Sequence, residues 1–181
     1  STEENTKWYL IQFSNGGDAL TANTSGTQIT IGSALGSNAQ LWKITGNATD
    51  GYTFTNKKGY TLYVNSAATN QMVNAATSPT GVSKFFINEA NSGGYEIQPK
   101  SNTSISMNLW GGPAENRGVG LWDKADQNNA VKFVDAAHFE QLGKIGLIPF
   151  PNELETKDGE LALSSLSAIA YTGEQMKEHV E

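Results

Sequence analysis

The chain has 181 residues, of which 38% are hydrophobic and 17% charged, with 19 glycines, no cysteine and a formal net charge of −6. This composition excludes a disordered chain, a disulfide framework and a thiolate metal site, and no apolar run approaches the roughly 20 residues that span a bilayer. The many glycines, with frequent Asn, Ser and Thr, favour short strands and turns over long helices.

The charge is unevenly placed along the chain. Residues 1–137 carry 9 basic and 10 acidic side chains, whereas residues 138–181 carry 3 basic and 8 acidic ones. This asymmetry predicts a boundary near residue 138. Neither part is basic, so nucleic acid and anionic membrane surfaces are not expected partners. A near-neutral surface rich in small polar and aromatic side chains suits a neutral polar ligand, of which a sugar is the obvious example.

Three units of about 43 residues repeat through residues 1–137. Each unit opens with a tyrosine (Tyr9, Tyr52 and Tyr95) followed by residues that alternate between apolar and polar, a pattern typical of a half-buried strand. Further apolar segments recur at matching places. The predicted strands are residues 9–13, 20–23, 29–31 and 40–44, then 52–55, 62–65, 72–73 and 83–87, then 95–98, 105–108, 119–122 and 129–133.

About twelve short strands in three units predict an all-β fold. Turn signals such as Asn15-Gly16 and Gly93-Gly94 separate the strands. One unit cannot bury its apolar face alone, whereas three units around a pseudo-threefold axis can, which predicts a β-trefoil. The alternative is a sandwich of eight or nine strands, and the regular spacing of the repeat favours the trefoil.

The first unit ends in Gln40-Leu41-Trp42, and here the sequence resembles the ricin-B-type lectins, whose repeats end in Gln-x-Trp. The resemblance covers about residues 8–136. The other units end in Ser83-Lys84-Phe85 and Asn129-Ala130-Val131, and the repeat cysteines of the family are absent. The resemblance implies a carbohydrate-binding domain in which each unit can hold one sugar pocket.

The resemblance also implies which residues form a pocket in the third unit. In the family, a polar residue after the second strand binds sugar hydroxyls, an aromatic residue before the final strand stacks on the ring, and amides just before the final strand add hydrogen bonds. Apart from the resemblance, Trp110 is expected on the other wall of the pocket, and Asp123 and Asp126 near it are expected as hydrogen-bonding partners rather than cation ligands. The candidate carbohydrate-binding residues are therefore Asn108, Trp110, Trp122, Asp123, Asn128 and Asn129.

The first two units lack the aromatic residue that the pocket requires. Asn23 and Asn65 match Asn108 in the repeat, but Gly32 stands where the third unit has Trp122, and no aromatic residue occurs near residues 72–75. One competent site is therefore expected. The family usually has Asp at the position of Asn108, and an amide lacks the charge-assisted hydrogen bonds of a carboxylate, so affinity or ligand choice is expected to differ.

The remaining large or charged residues of the repeat are assigned other roles. Trp42 is predicted to lie in the core and Trp8 to cap the barrel. Arg117, in the glycine-rich segment between Trp110 and Trp122, is predicted to be a solvated charge, with a contact to an acidic sugar as the alternative.

Residues 138–146 are predicted to form a linker, and a short α+β segment follows over residues 147–181. Its markers are Ile148-Pro149-Phe150-Pro151, an alternating strand after Gly159, and Ile169-Ala170-Tyr171. In these it resembles the truncated start of the accessory α/β domain of β-N-acetylhexosaminidases. The resemblance implies a parent glycoside hydrolase whose catalytic barrel this chain lacks, so no catalytic residue, cofactor or metal is expected here.

The sequence therefore predicts a non-catalytic, lectin-like module that holds a parent hydrolase on glycans containing galactose or N-acetylhexosamine. Its expected partners are the glycan and the catalytic domain of the same polypeptide, in a secreted, periplasmic or cell-surface setting without membrane insertion. Two alternatives stay open. One is a structural spacer whose sugar site has decayed, and the other is a trefoil module that binds proteins.

Overall fold

The computed structural model describes residues 5–114 and 118–139, which contain thirteen β-strands. The strands of the first unit are β1 (Tyr9–Phe13), β2 (Ala19–Thr21), β3 (Thr27–Gln28), β4 (Thr30–Gly32) and β5 (Trp42–Asn47). Those of the second unit are β6 (Gly51–Asn56), β7 (Thr61–Val64), β8 (Val73–Ala76) and β9 (Phe85–Glu89). Those of the third are β10 (Tyr95–Pro99), β11 (Ile105–Leu109), β12 (Val119–Asp123) and β13 (Val131–Asp135).

Six of these strands close into a barrel. Each unit contributes its first and last strand, and antiparallel pairing joins them in the cyclic order β1, β5, β6, β9, β10, β13 and back to β1. Because the ring is closed, these strands leave no free edge to pair with another chain.

The register of the barrel confirms the repeat found in the sequence. Within each unit, the first and last strands are joined through a single residue pair. One member is the opening tyrosine, and the other is the third residue of the motif that ends the unit. The pairs are Tyr9 with Trp42, Tyr52 with Phe85, and Tyr95 with Val131. Three equivalent closures around one axis define a β-trefoil.

Three hairpins close one end of the barrel, namely β2–β4, β7–β8 and β11–β12. They meet around the axis, where Thr27 pairs with Ala75, Thr30 with Gly118, and Met72 with Gly120. The approach at the axis is close, because a Cβ placed on Gly118 would lie 2.0 Å from the side-chain nitrogen of Gln28. A larger residue at this position of the third unit would require the flexible Gln28 side chain to move aside.

The main core fills the barrel and the space beneath the hairpins. Trp42 is fully buried there, and its indole N–H donates to the Leu20 carbonyl at 3.2 Å, which satisfies the only polar atom of the side chain. Phe54 and Phe85 pack edge to face with ring centroids 6.0 Å apart. The prediction that Trp42 is a core residue is confirmed.

A second, smaller apolar cluster joins the first unit to β13 and the helical residues that follow it. Its buried members are Leu10, Ala19, Leu41, Val134 and Ala136. Trp8 and Phe139 pack against this cluster, and Lys57 Nζ lies 5.1 Å from the centre of the Trp8 ring. The described chain ends in helical residues 136–139, so packing against the trefoil continues to Phe139, two residues past the predicted boundary at 137.

Several predicted features lie outside the described residues. They are Arg117, the predicted linker from residue 140 onward, and the segment 147–181 that resembles a hexosaminidase accessory domain. Within the described residues, no helix is long and apolar enough to cross a bilayer.

Candidate functional site

The hairpin of β11 and β12 has one face in the core and an outer face that is largely covered, since Ser106, Asn108 and Gly120 are buried there and Trp122 is exposed. Met107 opposes Leu121, and both are fully buried in the core. Residues that oppose each other across two strands share a face, and neighbours along a strand alternate between faces. The outer face therefore carries Ser106, Asn108, Gly120 and Trp122.

Trp122 is the exposed aromatic residue of this outer face. Its side chain is 39% exposed, and among the described large hydrophobic residues only Leu35, at 75%, is also classed as exposed. Burial of an indole normally stabilises a fold strongly, so a tryptophan left open on a regular strand marks a surface that can pack on a partner.

Trp110 lies against the same face. It follows the end of β11, and a Cβ placed on Gly120 would fall 2.1 Å from Cζ2 of the Trp110 ring. The ring therefore rests on the backbone of Gly120, the residue that opposes Asn108 across the hairpin. Glycine at 120 makes this packing possible, so the Trp110 ring lies on the same face of the hairpin as the Trp122 side chain.

Asn108 is almost buried, at 4% exposure, and its amide holds two partners. Nδ2 donates to Asn129 Oδ1 at 2.8 Å and to Asp126 Oδ1 at 3.1 Å. Both amide hydrogens are thus used within the protein. The side chain fastens the loop between β12 and β13 to the outer face of β11.

Asn129 supports the site from below. Its side chain is fully buried, accepts from Asn108, and donates through Nδ2 to the carbonyl of Asp123 at 2.9 Å and to Glu96 Oε1 at 3.4 Å. The sequence placed Asn129 among the groups that touch a sugar. The structure assigns it a supporting role instead, because no surface of its side chain is open.

Asp123 also differs from its expected placement. It follows Trp122 directly on β12, so its side chain points to the opposite face of the hairpin. What Asp123 gives to the site is its main-chain carbonyl, which holds Asn129. The expected carboxylate contact beside the indole is therefore not supported.

Asn128 lies half-buried at the rim of the site. Its Oδ1 accepts from Nδ2 of Asn15 at 2.8 Å, and its main-chain N–H donates to Asp126 Oδ1 at 2.9 Å. Because Asn15 occupies the amide oxygen, Asn128 offers N–H groups to a ligand. Asn15 comes from the turn after β1 of the first unit, 113 residues away, and sequence reasoning did not include it.

The same turn borders the site on a second side. A Cβ on Gly16 would lie 2.5 Å from Cβ of Pro113, so the segment after β11 packs closely on the turn after β1. Gly16 has φ of +93°, which glycine adopts readily. The site is thus built from the third unit and closed along one edge by the first.

A buried carboxylate underlies the site. Glu96 accepts hydrogen bonds from the hydroxyl of Ser106 at 2.5 Å and from the main-chain N–H of Ala125 at 3.1 and 3.2 Å. Ala125 has φ of +70°, a strained conformation for a residue with a Cβ. The Glu96 carboxylate therefore holds the loop after Trp122 in a conformation that the loop alone would not favour.

Sequence reasoning missed Glu96, although a signal was present. Five of the seven buried polar side chains among the described residues belong to the third unit, namely Glu96, Gln98, Ser106, Asn108 and Asn129. Glu96 stands where the first unit has Leu10 and the second has Thr53. A charged residue between the apolar Tyr95 and Ile97 of a barrel strand indicates a buried partner.

The hairpin registers show which residues of the other units correspond to Trp122. In the second strand of each hairpin, the last residue that faces the core is fully buried; these residues are Ile31, Ala75 and Leu121. The residues that follow them in the chain are Gly32, Ala76 and Trp122. The predicted match of Gly32 with Trp122 agrees with this register, and the second unit has alanine there.

The match of Asn23 and Asn65 with Asn108 is wrong. By register the equivalents of Asn108 are Thr21 and Tyr63, whereas Asn23 and Asn65 are exposed and lie beyond the ends of their strands. Gln40 Nε2 donates to Thr21 Oγ1 at 3.1 Å, which parallels the bond between Asn129 and Asn108. The three asparagines repeat in spacing without repeating in structure.

Comparisons with known proteins agree with this fold. No family model and no curated protein matches the chain. The Rhizoctonia solani agglutinin matches 72% of this chain over 95% of its own length, with a TM-score of 0.63 and 22% identity. The Macrolepiota procera ricin B-like lectin, solved with lactose, matches 70% of this chain over 93% of its own length, with a TM-score of 0.61 and 15% identity.

A hydrolase contains a similar domain. The exo-β-1,3-galactanase of Clostridium thermocellum matches 72% of this chain over 30% of its own length, with a TM-score of 0.63 and 20% identity. At these identities the likeness concerns the fold. The chain is therefore a β-trefoil similar in structure to ricin B-like lectins, and the sandwich alternative is excluded.

Proposed function

We propose that this chain is a non-catalytic carbohydrate-binding module whose glycan site is the outer face of the β11–β12 hairpin. The observation that carries the proposal is Trp122, an exposed indole on a regular strand beside a rim of polar groups. A sugar ring has an apolar C–H face and a rim of hydroxyls, so it matches an indole surface bordered by hydrogen-bonding groups.

The groups of this face take distinct roles in the proposal. Trp122 stacks on the sugar ring, and Trp110, fixed against Gly120, forms the adjoining wall. Asn128 donates N–H groups to sugar oxygens, because its own oxygen is held by Asn15. Asn108 and Asn129 keep the surrounding loop in place rather than touching the ligand.

The glycan is proposed to contain galactose or N-acetylhexosamine. Lactose, a galactose-containing disaccharide, is the ligand in the M. procera lectin structure, which has the same fold. A shallow site of one stacking ring and a few hydrogen bonds implies weak binding. A millimolar Kd, which corresponds to about −4 kcal/mol, is the expected order of magnitude.

Calorimetry with galactose, lactose and the N-acetylhexosamines tests the site through Trp122→Ala. Loss of the stacking surface is expected to weaken binding at least about tenfold, equivalent to about 1.4 kcal/mol, without unfolding the protein, because the ring is already partly exposed. Leu35→Ala is the matched control, since Leu35 is the other exposed large hydrophobic residue in the described part of the chain and lies in the first unit. Equal affinities for the wild type and Trp122→Ala would place the site elsewhere.

The module is further proposed to belong to a secreted, periplasmic or cell-surface glycoside hydrolase, a β-N-acetylhexosaminidase by the resemblance of residues 147–181. Its partner would be the catalytic domain of the same polypeptide. The galactanase supports this arrangement, because a trefoil there forms less than a third of a longer hydrolase chain. The full-length gene product is expected to hydrolyse a chromogenic N-acetyl-β-hexosaminide, and a product without this activity would exclude this parent.

A spacer role is the second candidate, and the units themselves favour it. Gly32 and Ala76 stand at the positions equivalent to Trp122, so two of the three units lack the stacking surface. A wild-type protein that binds no member of a broad glycan array would support the spacer and contradict a working site at Trp122.

A further inference from the structure

We infer that the turn of residues 68–71, in the second unit, forms a second sugar subsite beside Trp122, with the side-chain amide of Asn70 as its hydrogen-bonding group. The inference rests on the proposed function, in which one sugar ring stacks on Trp122, and it adds a contact to the next ring of the same glycan. The ligand class is then a neutral disaccharide held across the boundary between two units.

The turn lies along the edge of β12 that β11 leaves free. The main-chain N–H of Asn70 donates to the Leu121 carbonyl at 2.9 Å, and the Leu121 N–H donates to the Gln71 carbonyl at 2.9 Å. Two residues of the turn thus oppose one residue of β12, which is a β-bulge, a feature that often redirects a side chain next to a functional site. Neighbouring strands are about 4.8 Å apart, and Trp122 follows Leu121 directly, so Asn70 lies within reach of a ligand on the indole.

The turn and the indole are both open to solvent. Ala68, Thr69 and Asn70 are exposed, as is Trp122. Trp110, by contrast, covers the outer face of the hairpin over Gly120. Within the described residues, the side-chain amide of Asn70 has no hydrogen-bonding partner, so its oxygen and its N–H groups are available to a ligand.

The backbone at Asn70 has a conformation that glycine adopts more easily. Its φ is +72°, in the left-handed region, where residues with a Cβ are disfavoured and asparagine is tolerated better than most. The first unit has a glycine at the equivalent position. Gly26 has φ of +82°, and its N–H donates to the carbonyl of Ala75 at 2.8 Å, as that of Asn70 does to Leu121. The fold therefore requires no side chain at this turn.

Of these two turns, the one beside the exposed indole carries the polar side chain. Asn70 lies beside Trp122, whereas Gly26 lies beside Ala76, which offers no ring. Lack of space does not explain the difference, because a Cβ placed on Gly26 would meet no atom within 4 Å. A polar side chain in a conformation that favours glycine, next to a surface that can stack on a sugar, indicates a role toward the ligand.

The chemistry of the amide defines the second ring. The Asn70 side chain can accept from one sugar hydroxyl and donate to another, or bond to the N–H and carbonyl of an acetamido group. In lactose, galactose would stack on Trp122 and the glucose hydroxyls would reach Asn70. In N,N′-diacetylchitobiose, the second N-acetylglucosamine would take that place. One added hydrogen bond corresponds to about a fivefold gain in affinity.

Asn70→Gly tests the subsite without disturbing the turn. NMR titration compares lactose with methyl β-galactoside, and N,N′-diacetylchitobiose with N-acetylglucosamine. The wild type is expected to bind the disaccharide of at least one pair about fivefold or more tighter than the monosaccharide. Asn70→Gly should lose this preference and keep the affinity for the monosaccharide, with little change in Tm, because glycine adopts φ of +72° readily.

Gly26→Asn is the matched control. It makes the reverse change at the equivalent turn, beside Ala76 rather than Trp122. This variant is expected to bind both sugars of each pair as the wild type does.

The outcomes separate the inference from the proposed function. If the wild type binds a sugar and Trp122→Ala does not, the stacking site stands. The subsite is then overturned if the wild type has no preference for a disaccharide, or if Asn70→Gly retains that preference. If none of the four sugars binds the wild type, the proposed function fails and the inference fails with it.

Discussion

Asn108 shows how one amide can determine the arrangement of a site. It donates to Asp126 and to Asn129, and both partners present an oxygen. A carboxylate at this position could make neither bond and would bring two negative charges together. The residue typical of the resembling family, Asp, therefore does not suit this chain, whose carboxylate stands on the neighbouring loop.

Asn108→Asp is accordingly expected to destabilise the fold. The new carboxylate oxygen would face the oxygens of Asp126 and Asn129, so two hydrogen bonds would be replaced by contacts between acceptors. Because the position is almost buried, the free energy of unfolding is expected to fall by roughly 2–4 kcal/mol. Urea denaturation monitored by tryptophan fluorescence measures the loss.

Asn23→Asp is the matched control for this substitution. Asn23 holds the matching place in the sequence repeat but is exposed, so the expected change is within about 0.5 kcal/mol. If the two variants were equally stable, the hydrogen bonds assigned to Asn108 would not contribute.

For single residues, the sequence predicted an exposed aromatic residue at Trp122 and none at the matching positions of the other units. This was possible because the spacing of the repeat aligns the equivalent positions of the three units. It did not predict Asn15 or Glu96. Their partners, Asn128 and Ala125, lie 113 and 29 residues away, and no local pattern encodes such pairs. Burial also separates Asn108 from Asn23 and Asn65, a difference that spacing alone conceals.

Among the elements, the β11–β12 hairpin is the one that departs from the repeat. Its two strands have five residues each, whereas those of the β2–β4 hairpin have three. The glycine-rich segment after Leu109 was predicted to be a loop, and the exposed aromatic residue of β12 was predicted as well. The packing of the Trp110 ring on Gly120 was not predictable. It depends on the pairing register of β11 and β12 and on the lack of a Cβ at Gly120.

Gly120→Ala is expected to displace the Trp110 ring. The new Cβ would lie 2.1 Å from ring atom Cζ2, so the ring must move or the strands must separate, at a cost of about 1–3 kcal/mol. A shift in tryptophan emission and weaker sugar binding should accompany the lower stability.

Gly32→Ala is the control at the equivalent hairpin of the first unit. There the nearest atom, Thr21 Oγ1, is 3.7 Å from the added Cβ, an ordinary contact distance. This control is expected to leave tryptophan emission, sugar binding and stability unchanged. If Gly120→Ala also left all three unchanged, Trp110 would not be packed on Gly120.

For the whole molecule, the closed barrel follows from spacing more than from residue identity. The residues that close it, Trp42, Phe85 and Val131, differ greatly in size, yet each opposes the tyrosine of its own unit. The 43-residue spacing was therefore enough to predict the fold. The packing of Phe139 on the first unit was not predictable, because the repeat has ended by that point in the chain.

A closed barrel is expected to unfold as one cooperative unit. Phe85→Ala removes a fully buried ring in the second unit and should cost about 3–5 kcal/mol. Sugar binding at the third unit should then be lost at the same temperature as the fluorescence signal of the fold. Phe86→Ala, at the neighbouring, partly exposed position, should cost clearly less. Separate midpoints for binding and fluorescence would contradict a single cooperative unit.

The three units carry different residues at the position of Trp122, and this difference determines how many stacking surfaces the described units offer. Gly32, Ala76 and Trp122 leave one stacking surface among the described units, so under the proposed function the described part of the chain would hold one sugar at a time. The gain of about 10²–10⁴ in apparent affinity that linked binding sites provide is then absent. One such site could not by itself bridge two cells, and its residence on a glycan-coated surface would end with one dissociation event. In the proposed parent hydrolase, binding through a single site would let the enzyme move on as its substrate surface is consumed.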